Sequence, residues 1–440
     1  MADIAMNGSA PVTLPARHVA AVVVGNALEF YDFLTYAFFA VYIGNAFFPS
    51  HDAAASLLAS LATFGAGFLT RPIGAIVIGS MGDRIGRKPA MMLSFALMGV
   101  AILGLSLTPS YARIGIAAPI LVILFRLLQG FALGGDVGPT TAFLIEAAPP
   151  ASRGFYASMQ GASQRLSAMI SGLVGTALAI QLNAQQLQDW GWRAAMLIGV
   201  AIVPFGLIVR RSLPETLHAA DDAALAPDAT RGTLTLSATL LPHTKTIVLG
   251  LLLLGASTIG VYVVSFMTTY ALTTLHLGAV ASFGVTAVTS MAGFAAALLG
   301  GVWSDRIGRK PVMIGPGIVA ILSIIPAFWL ITHHGGVATF YLAMFWISFW
   351  SGLSTGIAII VLTELLPAKI RAGTMATVYA IAISIFGGST QFLVKWLMDK
   401  TGSPMVPGYY WTAAYAIGLV AMLLVNESAP VKLLKPMRDL

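Results

Sequence analysis

Two stretches of this chain are near copies. Gly79–Lys88 reads GSMGDRIGRK and Gly301–Lys310 reads GVWSDRIGRK, with Asp83 and Asp305 lying 222 residues apart in a chain of 440. Each copy follows a long apolar run and precedes another. Repetition at a fixed period decides the architecture before any local pattern does. It predicts two related halves with this charged turn at the same place in each. A second pair agrees: Glu146–Arg153 (EAAPPASR) and Glu364–Arg371 (ELLPAKIR) are offset by 218.

The apolar runs decide the solvent. Charged residues are 9% of the chain and apolar ones 58%, against about 25% charged in a typical soluble domain. So few charges cannot solvate a globule of this size. The uncharged runs suit helices crossing about 30 Å of hydrocarbon, and they lack the ten-residue alternation of a membrane β-barrel. The expected fold is therefore an all-α membrane protein of twelve spans in two six-helix bundles. The spans fall at 18–45, 56–80, 89–108, 115–144, 155–182 and 192–210, then 245–272, 282–302, 311–332, 337–366, 372–397 and 408–426. This divides the chain into a tail 1–17, a bundle 18–210, a linker 211–244, a bundle 245–426 and a tail 427–440.

Basic residues set the orientation, because loops on the cytoplasmic side carry the excess of Lys and Arg. With the N-terminus inside, that side holds 17 of the 24, and only Arg113, Arg193 and Lys400 lie outside. Both termini are thus expected in the cytoplasm, and the net charge of +7 faces anionic lipid instead of nucleic acid. Residues 1–16 show no basic segment ahead of a short apolar stretch, so no cleavable signal peptide is expected. There is no cysteine, the seven His show no metal-ligand spacing, and no nucleotide loop is present. The repeated turn lacks the preceding strand and the Lys-[Ser/Thr] ending of a P-loop. No cofactor, no metal and no enzymatic activity are expected.

Charges inside a bilayer are costly and normally face a bundle interior or a wet cavity. Glu29 and Asp32 lie near the middle of span one, three residues apart on one helical face, with Asn26 three residues before. Two carboxylates this close in a poorly solvated site do not both ionise cheaply. Either one carries a proton during a cycle, or one is the permanent partner of a buried arginine. Arg126 sits at the middle of span four with Gln129 on the same face. It either binds a substrate carboxylate or neutralises Glu29 or Asp32. In span five, Gln160, Gln164 and Ser167 form a polar stripe that lines a cavity, while Arg165, turned about 100° from Gln164, reaches that cavity or pairs with another helix. Asp136, in a glycine-rich setting of span four, is a proton site or a gate residue. Arg71, ahead of Pro72 in span two, reads as half of a structural ion pair ahead of a ligand contact, and Lys395 as a snorkelling residue. The second half offers mainly hydroxyls, with Tyr270 and Gln391 as candidate substrate contacts. Asp83, Arg84, Arg87 and Lys88, with Asp305, Arg306 and Arg309, read as a latch at the membrane surface; Glu146, Arg153, Glu364 and Arg371 are its candidate partners.

The turn G-x-x-x-D-R-x-G-R-K, present twice between the second and third spans of each half, resembles the signature of the major facilitator superfamily. Within it the chain resembles the metabolite:proton symporter family. The residues that carry this are Gly25–Phe33 (GNALEFYDF), Gly67–Gly74 (GFLTRPIG), Arg126–Gly130 (RLLQG), Gly134–Asp136 and Gly154–Gln160 (GFYASMQ). Ala162–Gln164, Trp190–Arg193, Arg210–Leu213 and Ile385–Gly388 are similar to the citrate–proton symporters of that family. Position 136 is Asp where the family usually has Glu, and position 165 is Arg where an uncharged residue is usual. The resemblance implies alternating access by two halves and symport of protons with a small carboxylate, citrate or a similar tricarboxylate, by a monomer in a bacterial inner membrane. Other metabolites of the family (2-oxoglutarate, shikimate, proline or betaine) are the alternative, and a drug–proton antiporter or a transport-dead receptor lies further off.

Overall fold

The computed structural model describes residues 16–85, 87–134, 144, 148–211, 243–366 and 368–433. Asp136, Glu146 and nearly all of the linker lie outside them, as do the side chains of Asp83, Arg84, Arg87, Lys88 and Arg371. The described chain is nearly all helix. Hydrocarbon offers no partner to a free backbone group, and a helix satisfies its own.

Helices stand at all twelve predicted positions, six to each half. Among the described residues, eight are long and apolar enough to cross a membrane. Span three has a shorter apolar part, Met92–Leu107, and span five (Arg153–Gln181) is interrupted by Gln160, Gln164 and Arg165.

Several spans are broken within their length. Span one runs from Ala16 to Phe47 with a break at Phe39. Span two is divided at Thr70 into Ala53–Leu69 and Arg71–Ile85. Pro72 explains that break, since it has no N–H for the carbonyl four residues back and its ring crowds that group. The freed carbonyl, Phe68 O, instead accepts from Ser384 Oγ at 2.9 Å, across the two halves. Span ten breaks between Thr355 and Ala358. Span eleven carries a π-helical segment, Ile383–Gly387, between Ala368–Ala382 and Gly388–Thr401; such segments recur at functional sites.

The halves meet along spans five and eight (Ala279–Ile307) and along spans two and eleven. At the second seam a Cβ on Gly65 would lie 2.4 Å from Gly388 O, so only glycine admits this approach. Within the first half, span one is buttoned to span five. Asn26 Nδ2 donates to Ser163 Oγ at 2.7 Å, Thr35 Oγ1 and Ser171 Oγ share a hydrogen bond at 2.8 Å, and Ser167 Oγ donates to Ala27 O. Far from the repeated turns, Phe283 of span eight packs on Phe39 (ring centroids 4.5 Å apart) and on Tyr42 (6.2 Å), joining the halves at that end.

Candidate functional site: a cavity between the halves and a buried charge cluster beside it

A cavity of about 130 Å³ lies between the halves. Gln160, Gln164 and Arg165 of span five line it, opposite Thr286, Thr289 and Ser290 of span eight. Ser257, Thr258, Tyr262 and Ser265 of span seven, Thr355 of span ten and Tyr379 of span eleven complete its described polar wall. Arg165 is the only charged residue among the described lining residues, and no carboxylate among the described residues forms an ion pair with it. Gly293 makes room for it: a Cβ there would lie 3.1 Å from Arg165 Cδ and Nε. The bare face of span eight therefore lets the arginine lie along the cavity wall.

Of the residues singled out from sequence, Gln160, Gln164 and Arg165 are brought together here. Asn26 does not line the cavity; it is spent on Ser163 and on Gln160 O, at the seam of spans one and five. Tyr270 donates to Pro404 O at 2.9 Å, beyond the cavity, and Gln391 is fully buried in the second half. Sequence reasoning noted Tyr262 and Ser265 among the hydroxyls of span seven but passed over Tyr379 and the span-eight hydroxyls. Their signal was present: Thr286, Thr289, Ser290 and Gly293 follow the i, i+3, i+4, i+7 spacing of one helical face.

The midspan charges of the first half form a second cluster, inside its bundle. Arg126 is fully buried and donates to Gln129 Oε1; Gln129 Nε2 in turn donates to Asp32 Oδ2. The amide thus stands between the cation and the carboxylate, and Asp32 Oδ1 has no hydrogen-bond partner among the described residues. Arg126 Cζ lies 4.4 Å from the Tyr36 ring, 4.5 Å from Phe33 and 5.1 Å from Phe64, and its Nη2 reaches Phe64 O at 3.4 Å. Glu29, also buried, is one turn from Asp32. Arg126, Gln129 and Asp32 do not line the cavity. The link between the two sites is span one, whose Phe30, Leu34 and Phe38 face the cavity and whose Asn26 and Thr35 are bonded to span five.

Two structural readings are corrected. Arg71 has no ion pair among the described residues; its Cζ lies 4.4 Å from the ring centroids of both Phe33 and Phe68. Lys395 does not snorkel freely but pairs with Asp399, one turn on.

At the end of the molecule that carries the second repeated turn, Arg309 is fully buried. It binds Glu364 with two nitrogens, Nε to Oε2 at 3.2 Å and Nη2 to Oε1 at 2.8 Å, and Asp305 Oδ1 through Nη1 at 2.7 Å. Asp305 then accepts from Gly154 N at 2.9 Å and Phe155 N at 3.0 Å. These are the first free N–H groups of span five, in the other half, where a helix attracts negative charge. Arg306 is exposed and Arg153 half-buried. The turn itself requires Gly308, whose φ is +105°.

One member of this network was not foreseen. Glu427, just past span twelve (Val406–Leu424), accepts from Arg309 N at 2.9 Å and Lys310 N at 3.0 Å, capping span nine (Arg309–His333). Burial pushes its carboxyl up, but backbone donors from Ala429, Arg309, Lys310 and Ser428 outweigh this and hold it below the usual range. A depressed folded value means that the stabilisation exists above the unfolded carboxylate value and is lost as pH falls through the lower, folded one. Glu427→Gln is therefore expected to lower the thermal midpoint at pH 7 by a few degrees. The gap to wild type should narrow in scans taken towards and below about pH 4.

Comparison with known proteins agrees with this architecture. Residues 22–388 match the family model described as Major Facilitator Superfamily. The chain is 38% identical over 407 residues to a citrate-proton symporter of Salmonella typhi, covering 92% of this chain and 93% of that one. It is 36% identical to a citrate-proton symporter of Klebsiella pneumoniae, covering 93% and 91% of the two chains. It is 29% identical to the ectoine/proline transporter ProP of Corynebacterium glutamicum, covering 94% and 84%. Among solved structures, a D-xylose-proton symporter superposes with a TM-score of 0.73 at 16% identity, covering 94% of this chain and 98% of that one, which is a likeness of fold alone. Helices at all twelve predicted positions among the described residues, the doubled turn between second and third spans, and a matching model over most of the sequence have one reading: the chain belongs to the Major Facilitator Superfamily.

Proposed function

We propose that this protein is a proton-coupled symporter that takes up citrate or a similar small tricarboxylate by alternating access. The observation that carries this reading is Arg165: one arginine on the cavity wall, flanked by Gln160 and Gln164, with no carboxylate paired to it among the described residues. A desolvated cation without a partner costs several kcal/mol, and a substrate carboxylate held by the guanidinium fork offsets that cost. The span-eight hydroxyls and the span-five amides then bond the remaining oxygens.

The transported proton is assigned to Asp32, with Glu29 beside it and Asp136 as a further intramembrane carboxylate. Proton loss leaves a charge that draws on Gln129 and Arg126; proton gain releases them. Because span one is bonded to span five at Asn26 and Thr35, this shift moves the helix that bears Arg165. Bundles 18–210 and 245–426 rock about the cavity, with linker 211–244 between them. Asp305, Arg309 and Glu364 form a latch that holds the cytoplasmic side shut, and the Asp83–Lys88 turn serves the same end in the other half. We place the protein as a monomer in a bacterial inner membrane, with both termini in the cytoplasm.

The 29% identity to an ectoine/proline transporter raises a second reading, a zwitterionic substrate. No described cavity residue is acidic, so an ammonium would find no carboxylate there; a quaternary ammonium can instead sit on aromatic faces, and betaine is tested by competition. In proteoliposomes, an inward proton gradient is expected to drive concentrative citrate uptake that an uncoupler abolishes, with proline and betaine not competing. Uptake of proline or betaine in place of citrate would overturn the carboxylate assignment; no carboxylate uptake under any pH gradient would sink symport altogether.

A further inference from the structure

Arg71 opens the second part of span two, directly after the break at Thr70. It is only 4% exposed, and its Nε and Nη2 have no hydrogen-bond partner among the described residues. Its guanidinium is held between the faces of Phe33 and Phe68, each 4.4 Å away. Arg126 lies against the same Phe33 ring at 4.5 Å, with Nη1 on Gln129, Nη2 on Phe64 O and its Nε unpartnered among the described residues, one open nitrogen against two on Arg71. Aromatic faces attract a cation yet accept none of its in-plane hydrogen bonds, so the fold keeps a buried charge with donors in reserve.

A single layer of rings separates this charge from the cavity. Phe68 meets Tyr262 edge-on at 5.3 Å, and Tyr262 lines the cavity wall. Gly387, at the end of the π-helical segment of span eleven, is pressed against both: a Cβ there would lie 2.8 Å from Tyr262 Cε2 and 3.1 Å from Phe68 Cε1. Phe68 belongs to the first half, and Tyr262 and Gly387 to the second. They are tied at this seam by Ser384 Oγ on Phe68 O. A movement of the halves that parts this seam would draw Tyr262 off Phe68 and open Arg71 to the cavity.

We infer that Arg71 is a second carboxylate anchor of the transport site, binding a substrate carboxylate other than the one held by Arg165. This inference rests on the carboxylate reading of the cavity and adds the reason for preferring a polycarboxylate. Two guanidinium groups approaching from different helices hold two carboxylates of one molecule. A dicarboxylate that lacks the distal group leaves Arg71 between its rings.

The test is calorimetric titration of the purified full-length protein with citrate and with citramalate, in which one carboxymethyl arm of citrate is replaced by methyl. Arg71→Gln is expected to weaken citrate binding about 30-fold and citramalate binding less than about threefold, so that the preference for citrate disappears. Arg71→Lys keeps the charge but loses the planar fork; it should retain citramalate binding and lose about tenfold for citrate, and it decides the question if the glutamine variant does not fold. Equal weakening of both ligands, or an unchanged citrate preference, would overturn the role of Arg71 while leaving citrate transport standing. Wild-type protein that binds neither ligand overturns the citrate reading and this inference with it.

Discussion

Arg165→Gln is expected to weaken citrate binding about 100-fold and to reduce uptake accordingly at substrate levels below saturation. Truncating one partner of a buried, hydrogen-bonded charge pair costs about 2–5 kcal/mol, and about 1.4 kcal/mol is tenfold. The sign of the accompanying stability change separates a ligand-binding role from a structural one. Arg165 has no ion pair among the described residues, and its charge is held at the wall of a largely apolar bundle. Removing an unpaired charge leaves no orphaned partner behind. The empty Arg165→Gln protein should therefore unfold at the wild-type temperature or above it, while citrate no longer raises its midpoint. A variant destabilised without ligand would assign Arg165 to packing against Gly293 and remove it from the substrate site.

Asp32→Asn is expected to lower proton-driven accumulation at least about 100-fold while leaving citrate exchange across the membrane within about threefold of wild type. Asparagine keeps an oxygen that can accept from Gln129, so the Arg126–Gln129 bond on the other side of the amide survives. What it cannot do is gain and lose the proton. Exchange of internal for external substrate needs the halves to rock with substrate bound and requires no change of protonation; net uptake against a gradient requires both. Loss of exchange together with accumulation would show that residue 32 holds the bundle and not the proton. Full accumulation by Asp32→Asn would move the proton to Glu29 or Asp136. Arg126 responds differently from Arg165, because its loss strips Gln129 of its donor and leaves Tyr36, Phe33 and Phe64 around a void. Arg126→Ala should therefore cost stability as well as transport.

Much of this molecule was legible before its structure. The doubled turn at Asp83 and Asp305 announced two halves, and the scarcity of charge announced the bilayer. The face shared by Glu29 and Asp32 and the stripe of Gln160 and Gln164 follow from helical period alone. Depth along a helix can be counted in residues, and so can the face a residue shares with its near neighbours. Which other helix that face meets cannot be counted. Arg126 and Arg165 both lie within spans, yet the first is walled into its own bundle by Phe33, Phe64 and Tyr36 and the second faces the cavity across Gly293. Arg71 looked like half of an ion pair and instead lies between two phenyl rings from spans one and two.

The same boundary separates the local from the distant at the Asp305–Arg309–Glu364 network. Asp305, Arg309 and Glu364 were recognisable as a charged set because they recur in the repeat. That Asp305 caps span five through Gly154 and Phe155, and that Glu427 caps span nine from past span twelve, depends on contacts 118 to 151 residues apart in the chain. Sequence by itself determined the solvent, the two-fold plan, the number of spans and the chemical types available at mid-membrane, because hydrocarbon admits only self-satisfied helices and penalises each charge. Only the tertiary structure decided which cation stands in the cavity, which is spent on Gln129, and which waits behind a ring pair. The packing of helices from both halves sets those neighbours, and neighbours determine whether a buried charge is free to bind.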